Sequence, residues 1–206
     1  MYRFHYDSDL SGGSLQVRES RIVADLLLQD ASPEQWHEVI QQQNRLQKRA
    51  PASAKRVAQA IRKRLERLDA PFWRAIRDGD DELATQVVFC SALERNLLLV
   101  EFIETVLKDA FVTRAGVLEP YHWNEFLDER SHRDSAITTW TESSRKKMAQ
   151  VVYRMLAEVG LLKSTRNMKL QNLMIRSEVH VLLDDSYRYR LKACLSIQRL
   201  RTVGVE

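Results

Sequence analysis

The chemistry most densely written into this chain is cationic. Between Asn44 and Leu68 stand nine Lys and Arg against a single acid, Glu66. Lys55, Arg56, Arg62, Lys63 and Arg67 are the members of that run placed to face outward from a helix. A second group, Arg145, Lys146 and Lys147, follows Ser143 and Ser144. Cations at this density suit a phosphate backbone, because affinity there is counterion release summed over several contacts. The competing reading is a solvated helix face, since Lys and Arg are good helix formers. A merely solvated helix usually interleaves signs and gains i,i+4 pairs, so the scarcity of acids favours binding. Three adjacent cations at a helix N-terminus also oppose the macrodipole and repel one another, a cost that an approaching phosphate would relieve. A simple exposed helix tip is the alternative there.

Other chemistry finds little support, and neither catalytic residues nor a metal or cofactor is expected. His5, His37, His122, His132 and His180 are scattered, and none has a histidine four residues on. Cys90 and Cys194 lie far apart within apolar stretches, which reads as two reduced, buried thiols. No GxxxxGK[ST] or GxSxG occurs. Ser11–Gly13 before a helix could cradle an anion, but a loop with Ser14 as helix cap is the simpler reading. Asp78, Asp80 and Asp81 resemble a cation loop only in part and are read as a turn and helix start. Trp36, Trp73, Trp123 and Trp140 suit packing better than base stacking. Arg188 and Arg190 could join the basic surface, but Tyr187 and Tyr189 equally suit a packed terminal helix.

The elements that must hold these residues are helices. The first is expected from Ser14 to Gln29. The second opens with Ser32 as N-cap, Pro33 at the first position and Gln35 at the third, a capping box. Pro51 then separates it from a third helix over about Ala52 to Leu68. At 100° per residue Ala54, Val57, Ala58, Ile61, Leu65 and Leu68 fall within an arc of about 100°, a core-facing stripe. Arg64 lies at the edge of that stripe, which suits packing or a buried pair. A short helix over Asp69 to Arg77 buries Phe72, Trp73 and Ile76. Residues 81–112 are the most apolar and read as one long helix or two stacked ones. After a linker around Gly116 and Pro120 come a short helix, YHWNEFLDER, and a polar loop, HRDSAITTW. A helix over Thr141 to Leu162 then buries Met148, Val151, Val152, Met155, Leu156 and Val159 and stops at Gly160. With KSTRNMKLQNLMI after it, this outlines a helix-turn-helix with a short wing.

The 206 residues, 44% hydrophobic and 29% charged, have a globular composition with a net charge of only +4. That balance hides three blocks. Arg45 to Arg77 carries eleven bases and two acids, Glu101 to Glu142 nine acids and four bases, and Ser143 to Arg201 thirteen bases and four acids. No signal peptide stands in MYRFHYDSDL, and no stretch approaches the roughly eighteen apolar residues of a membrane span. A cytoplasmic protein without membrane contact is expected.

Several phrases together resemble the BrxA family of BREX (bacteriophage exclusion) defence systems: SGGSLQVRES, NRLQKR before IRKRLERL, LLLVEFIETVL and TESSRKKMAQVVYRMLAEVGLL. In order and spacing they cover about residues 11–162. The resemblance implies a soluble, mostly helical, non-catalytic DNA-binding component, encoded beside a methyltransferase, a large ATPase and a phosphatase-like protein. It also implies a NusB-like helical fold, which keeps RNA in view as a ligand. It singles out Arg18, Glu19, Asn44, Arg49, Arg62, Arg64 and Leu65, of which Glu19 and Asn44 fit a structural role at least as well as contact with DNA.

The expectation is therefore a mainly α, multi-helix bundle with a C-terminal helix-turn-helix or winged-helix-like segment. Its domains would be 1–115, which holds the basic helix, and 116–206. Double-stranded DNA is the expected partner, with other BREX proteins beside it. The alternatives are a protein–protein adaptor and a NusB-like RNA binder.

Overall fold

The computed structural model describes residues 4–197, the side chains at 11 and 12 excepted. The ends of the expected domains, 1–3 and 198–206 with Arg201, lie outside the described residues. Helices dominate, as expected: α1 Val17–Leu28, α2 Pro33–His37, α3 Pro51–Leu65, α4 Ala70–Asp78, α5 Asp81–Arg95, α6 Leu97–Phe102, α7 Lys108–Val112, α8 His122–Ser131, α9 Glu142–Val159, α10 Ser177–Asp185 and α11 Tyr189–Leu195. Wider π turns at Glu38–Gln42 and Ile103–Leu107 continue α2 and α6. Among the described residues, β pairing is limited to two isolated antiparallel bridges, Val117 to Lys169 and Leu162 to Leu170. No single helix there is long and apolar enough to cross a membrane.

Contacts group the chain into two compact units. The first comprises Leu15–Arg95 and Arg176–Ser186, and so holds α1 to α5 and α10. The expected start of α1 is corrected: Gln16, in the left-handed region at φ 54°, precedes its first turn, and Ser14 does not cap it. That turn puts Leu15 into the core, where its carbonyl accepts from Ser20 Oγ at 3.3 Å. The capping box of α2 is present, with Gln35 N donating to Ser32 Oγ at 3.4 Å and Ser32 N to Gln35 Oε1 at 2.7 Å. Arg21 closes the far end of α4 by donating to the carbonyls of Ile76, Arg77 and Gly79 at 2.9, 3.0 and 2.7 Å, groups a helix C-terminus leaves unpaired. Asp80 caps α5 through Leu83 N at 2.8 Å, so the aspartate run is the expected turn and helix start. Helix α5 is buried nearly all round.

The second unit comprises Asn96–Ile175 with the residues up to Ser14 and from Tyr187 onward. The long apolar stretch breaks into two helices at Asn96, whose side chain caps α6 by accepting from Leu99 N at 3.2 Å. Trp123, Phe126 and Tyr153 pack edge-on around Phe102, with Trp123 and Phe126 tilted against each other, which accounts for Trp123 as core. Nearby, buried Glu101 accepts from Tyr6 Oη at 2.8 Å, Arg130 Nε at 2.6 Å and Arg133 Nη1 at 2.9 Å. Asp134, also buried, takes Tyr6 N at 2.8 Å and Ala136 N at 3.0 Å. The N-terminal residues are thus tied to this unit by two carboxylates. Gly160, at φ 93°, ends α9 where expected. Both cysteines are buried and neither is in a disulfide among the described residues, and burial pushes the Cys194 thiol up to about 12. Tyr187 and Tyr189 are exposed, which goes against the packed alternative for them.

Candidate nucleic-acid interface

Helix α3 is built for a two-faced role. Pro51 sits at its first turn, where a missing N–H costs nothing, and four alanines and five cations favour the helical state. Ala54, Ala58, Ile61 and Leu65 are buried, and Leu68 stays in the core after the helix ends because Leu68 N bonds back to Leu65 O at 2.9 Å. Val57, the remaining member of the expected stripe, is half-buried. Lys55, Arg56, Arg62, Lys63 and Arg67 are all exposed. The helix contains no acid, and Arg62, Lys63 and Arg64 lie in its last turn, where the macrodipole favours positive charge.

These cations are not equivalent. Arg62 stacks over the Trp36 ring at 4.6 Å and donates from Nε to Glu66 Oε1 at 2.6 Å. Arg64 turns inward, half-buried, and donates to Leu15 O at 3.4 Å, as its place at the edge of the stripe suggests. Lys55, Arg56 and Lys63 have no ion-pair or hydrogen-bond partner among the described residues. Arg56 and Lys63 are seven residues apart, two turns and about 10 Å along one side of the helix.

Residues before α3 that belong to the same basic run are structural. Asn44, left-handed at φ 46°, clasps the backbone of Lys48, donating to its carbonyl at 2.8 Å and accepting from its N–H at 3.0 Å. The clasp presents Lys48 Nζ to Glu19 Oε1 at 2.7 Å. Burial would raise the Glu19 carboxyl, but the Lys48 hydrogen bond, a backbone hydrogen bond and the charges of Lys48 and Arg18 together outweigh it and hold the group below the usual carboxylate range. Glu19 and Asn44 therefore hold the fold here, while Arg18 and Arg49 are exposed.

In the second unit the cluster at the start of α9 also divides. Thr141 caps the helix by accepting from Ser144 N at 3.2 Å. Lys146 and Lys147 are exposed, but Arg145 folds back, donating to Asp128 Oδ1 at 2.6 Å and to Ile137 O at 3.2 Å, with its side chain 18% exposed. Its Asp128 partner relieves part of the repulsion among the three cations. Of the two further candidates on this unit, Arg188 is half-buried and Arg190 forms a two-pronged pair with Glu104 at 2.7 Å and 2.7 Å.

A cleft of about 390 Å³ lies between the α2 segment and α3, bordered by Trp36, Ile40, Lys55 and Arg62. No local sequence signal places Trp36 there. Its partner Arg62 is far along the chain, and only the packing of α3 on the π turn brings them together. Among the described residues no group of three His, Cys, Asp or Glu side chains is placed to hold a metal ion.

The family model that matches this chain is BrxA, over residues 4–187. The chain is 34% identical over 192 residues to the BREX protein BrxA of Paramagnetospirillum magneticum, covering 93% of this chain and 96% of that one. It is 33% identical to the BREX protein BrxA of Escherichia coli O9:H4 over 85% of this chain and 82% of the other. A crystal structure of an uncharacterized protein from Magnetospirillum magneticum superposes with a TM-score of 0.86 at 33% identity, covering 93% of this chain and 98% of that one.

Proposed function

The chain belongs to the BrxA family of BREX phage-defence components, and from that premise we propose that it is a non-catalytic member that binds double-stranded DNA through phosphates rather than base edges. The observation that carries this reading is the outer side of α3, where Lys55, Arg56 and Lys63 stand exposed and unpaired among the described residues on a helix without an acid. Such a row neutralises phosphates of any sequence. Lys146 and Lys147 at the start of α9 are the second tract in this reading, and α9 with the Gly160 turn and the bridge-paired stretch after it supports a winged-helix-like segment. Arg62 and Arg67 flank the first tract. Arg145 belongs to the second only by giving up its pair with Asp128.

The test is a titration with two unrelated duplexes of equal length at two salt concentrations. Similar affinities that fall together as salt rises support the reading. No binding of naked duplex at physiological salt turns the same cations into docking points for acidic surfaces of other BREX proteins. Structured RNA that outcompetes duplex DNA moves the assignment to a NusB-like RNA binder.

A further inference from the structure

The cleft beside α3 combines features that phosphate binding by the helix surface does not require. Its volume, about 390 Å³, falls in the range of small-molecule sites, roughly 300–1,000 Å³, and is too small for a folded partner. Trp36 and Ile40, four residues apart, supply an aromatic and an aliphatic wall from one side. Lys55, Gln59 and Arg62 supply two cations and an amide from one side of α3. Among the described residues no acid borders the cleft. The carboxylate paired with Arg62, Glu66, takes only its Nε among the described residues, so the rest of the guanidinium remains to meet an anion.

An apolar aromatic wall next to two cations, Arg62 held by its stack and pair and Lys55 unpaired among the described residues, matches a ligand with a flat ring and a phosphate attached to it. Stacking on an indole is sequence-tolerant, because every base has a π face, while the cations hold the backbone. The Arg62–Trp36 stack also sets the indole in place before any ligand arrives.

We propose that this cleft is a nucleotide pocket, taking one unstacked base against Trp36 with its phosphate held by Lys55 and Arg62. The inference rests on reading α3 as the phosphate-binding helix, and it adds that the protein favours strands carrying an unpaired nucleotide. The same chemistry is presented by a free mononucleotide, and the two sources are separable.

The experiment compares three probes on the full chain: a fully paired duplex, the same duplex with a single bulged 2-aminopurine, and free AMP. The bulged duplex is expected to bind about tenfold more tightly than the paired one, the scale of one base stacked on an aromatic side chain, with quenching of the 2-aminopurine emission. Trp36→Leu should bring the two affinities together and remove the quenching. Gln59→Trp, which fills the cleft from an exposed position without touching the core, should do the same and covers the case in which Trp36→Leu folds poorly. Equal affinity of the wild-type chain for paired and bulged duplex, without quenching, overturns the pocket while leaving the phosphate reading intact. If neither duplex binds, the phosphate reading fails, and AMP decides the pocket alone. Saturable AMP binding lost in Gln59→Trp upholds a mononucleotide site, and no AMP binding overturns it.

Discussion

The Arg62 guanidinium lies 4.6 Å from the centroid of the Trp36 ring while its Nε donates to Glu66 at 2.6 Å. One of the five cations expected to face phosphate is therefore already in use, stacked on one element and paired within its own. Arg62→Ala is expected to weaken DNA binding less than Lys63→Ala, and to cost stability that Lys63→Ala does not, about 1 kcal/mol for the lost stack and exposed pair. Parallel thermal melts and duplex titrations of the two variants check this. Equal stability with the larger binding loss at Arg62 would count against it.

At the start of α9 the same division gives opposite outcomes for neighbours. Arg145→Ala removes the pair with Asp128 and the bond to Ile137 O. It should lower stability by about 1 kcal/mol, a melting shift of a few degrees for a chain this size. The double variant Lys146→Ala/Lys147→Ala should melt like the wild type and bind duplex more weakly. Calorimetry beside anisotropy titration separates the two.

Asn44 combines a left-handed backbone with two hydrogen bonds to Lys48. Asn44→Ala loses both bonds and leaves at φ 46° a residue that tolerates left-handed backbone less well than asparagine, for an expected cost of about 2 kcal/mol. Asn44→Gly should recover the strain portion. Lys48→Ala should cost about 1–2 kcal/mol by leaving half-buried Glu19 unpaired. Denaturant melts measure all three, and DNA affinity of the folded variants should be unchanged for Asn44→Gly. A large affinity loss there without a stability loss would make Asn44 a contact residue.

Asp134 is a buried carboxylate whose burial would raise its pKa, but Tyr6 N, Ala136 N and His5 hold it below the ordinary value. A depressed folded-state pKa adds stability that is present above the unfolded value, about 3.9, and is lost as pH falls through the folded one. Asp134→Asn should therefore be less stable than wild type at neutral pH, with the gap closing below about pH 4. A gap that stays constant into acid would mean the carboxylate charge contributes nothing.

Local signals in the chain were the dependable ones. The Ser32–Gln35 capping box, the stop at Gly160 and the stripe from Ala54 to Leu68 depend on neighbours within a turn or two, and each is present. What the cations do was less legible, because it is decided by residues far along the chain. Arg145 finds Asp128, Lys48 finds Glu19, and Arg62 finds Trp36 only once the helices pack. Glu101 interrupts an apolar phrase, and it gathers Tyr6, Arg130 and the more exposed Arg133 around a buried carboxylate that no spacing rule announces. The start of α1 moved because burying Leu15 takes a left-handed turn at Gln16, a conformation with no strong sequence signature outside glycine and asparagine.

The central claim is that Lys55, Arg56 and Lys63 meet phosphates. The most direct measurement is the slope of log affinity against log salt for a random-sequence duplex, compared between the wild-type chain and Lys55→Ala/Arg56→Ala/Lys63→Ala. Three lost contacts should flatten the slope by about 2 to 3 and weaken binding alike on unrelated sequences. An unchanged slope in a variant that melts like the wild type would contradict the assignment.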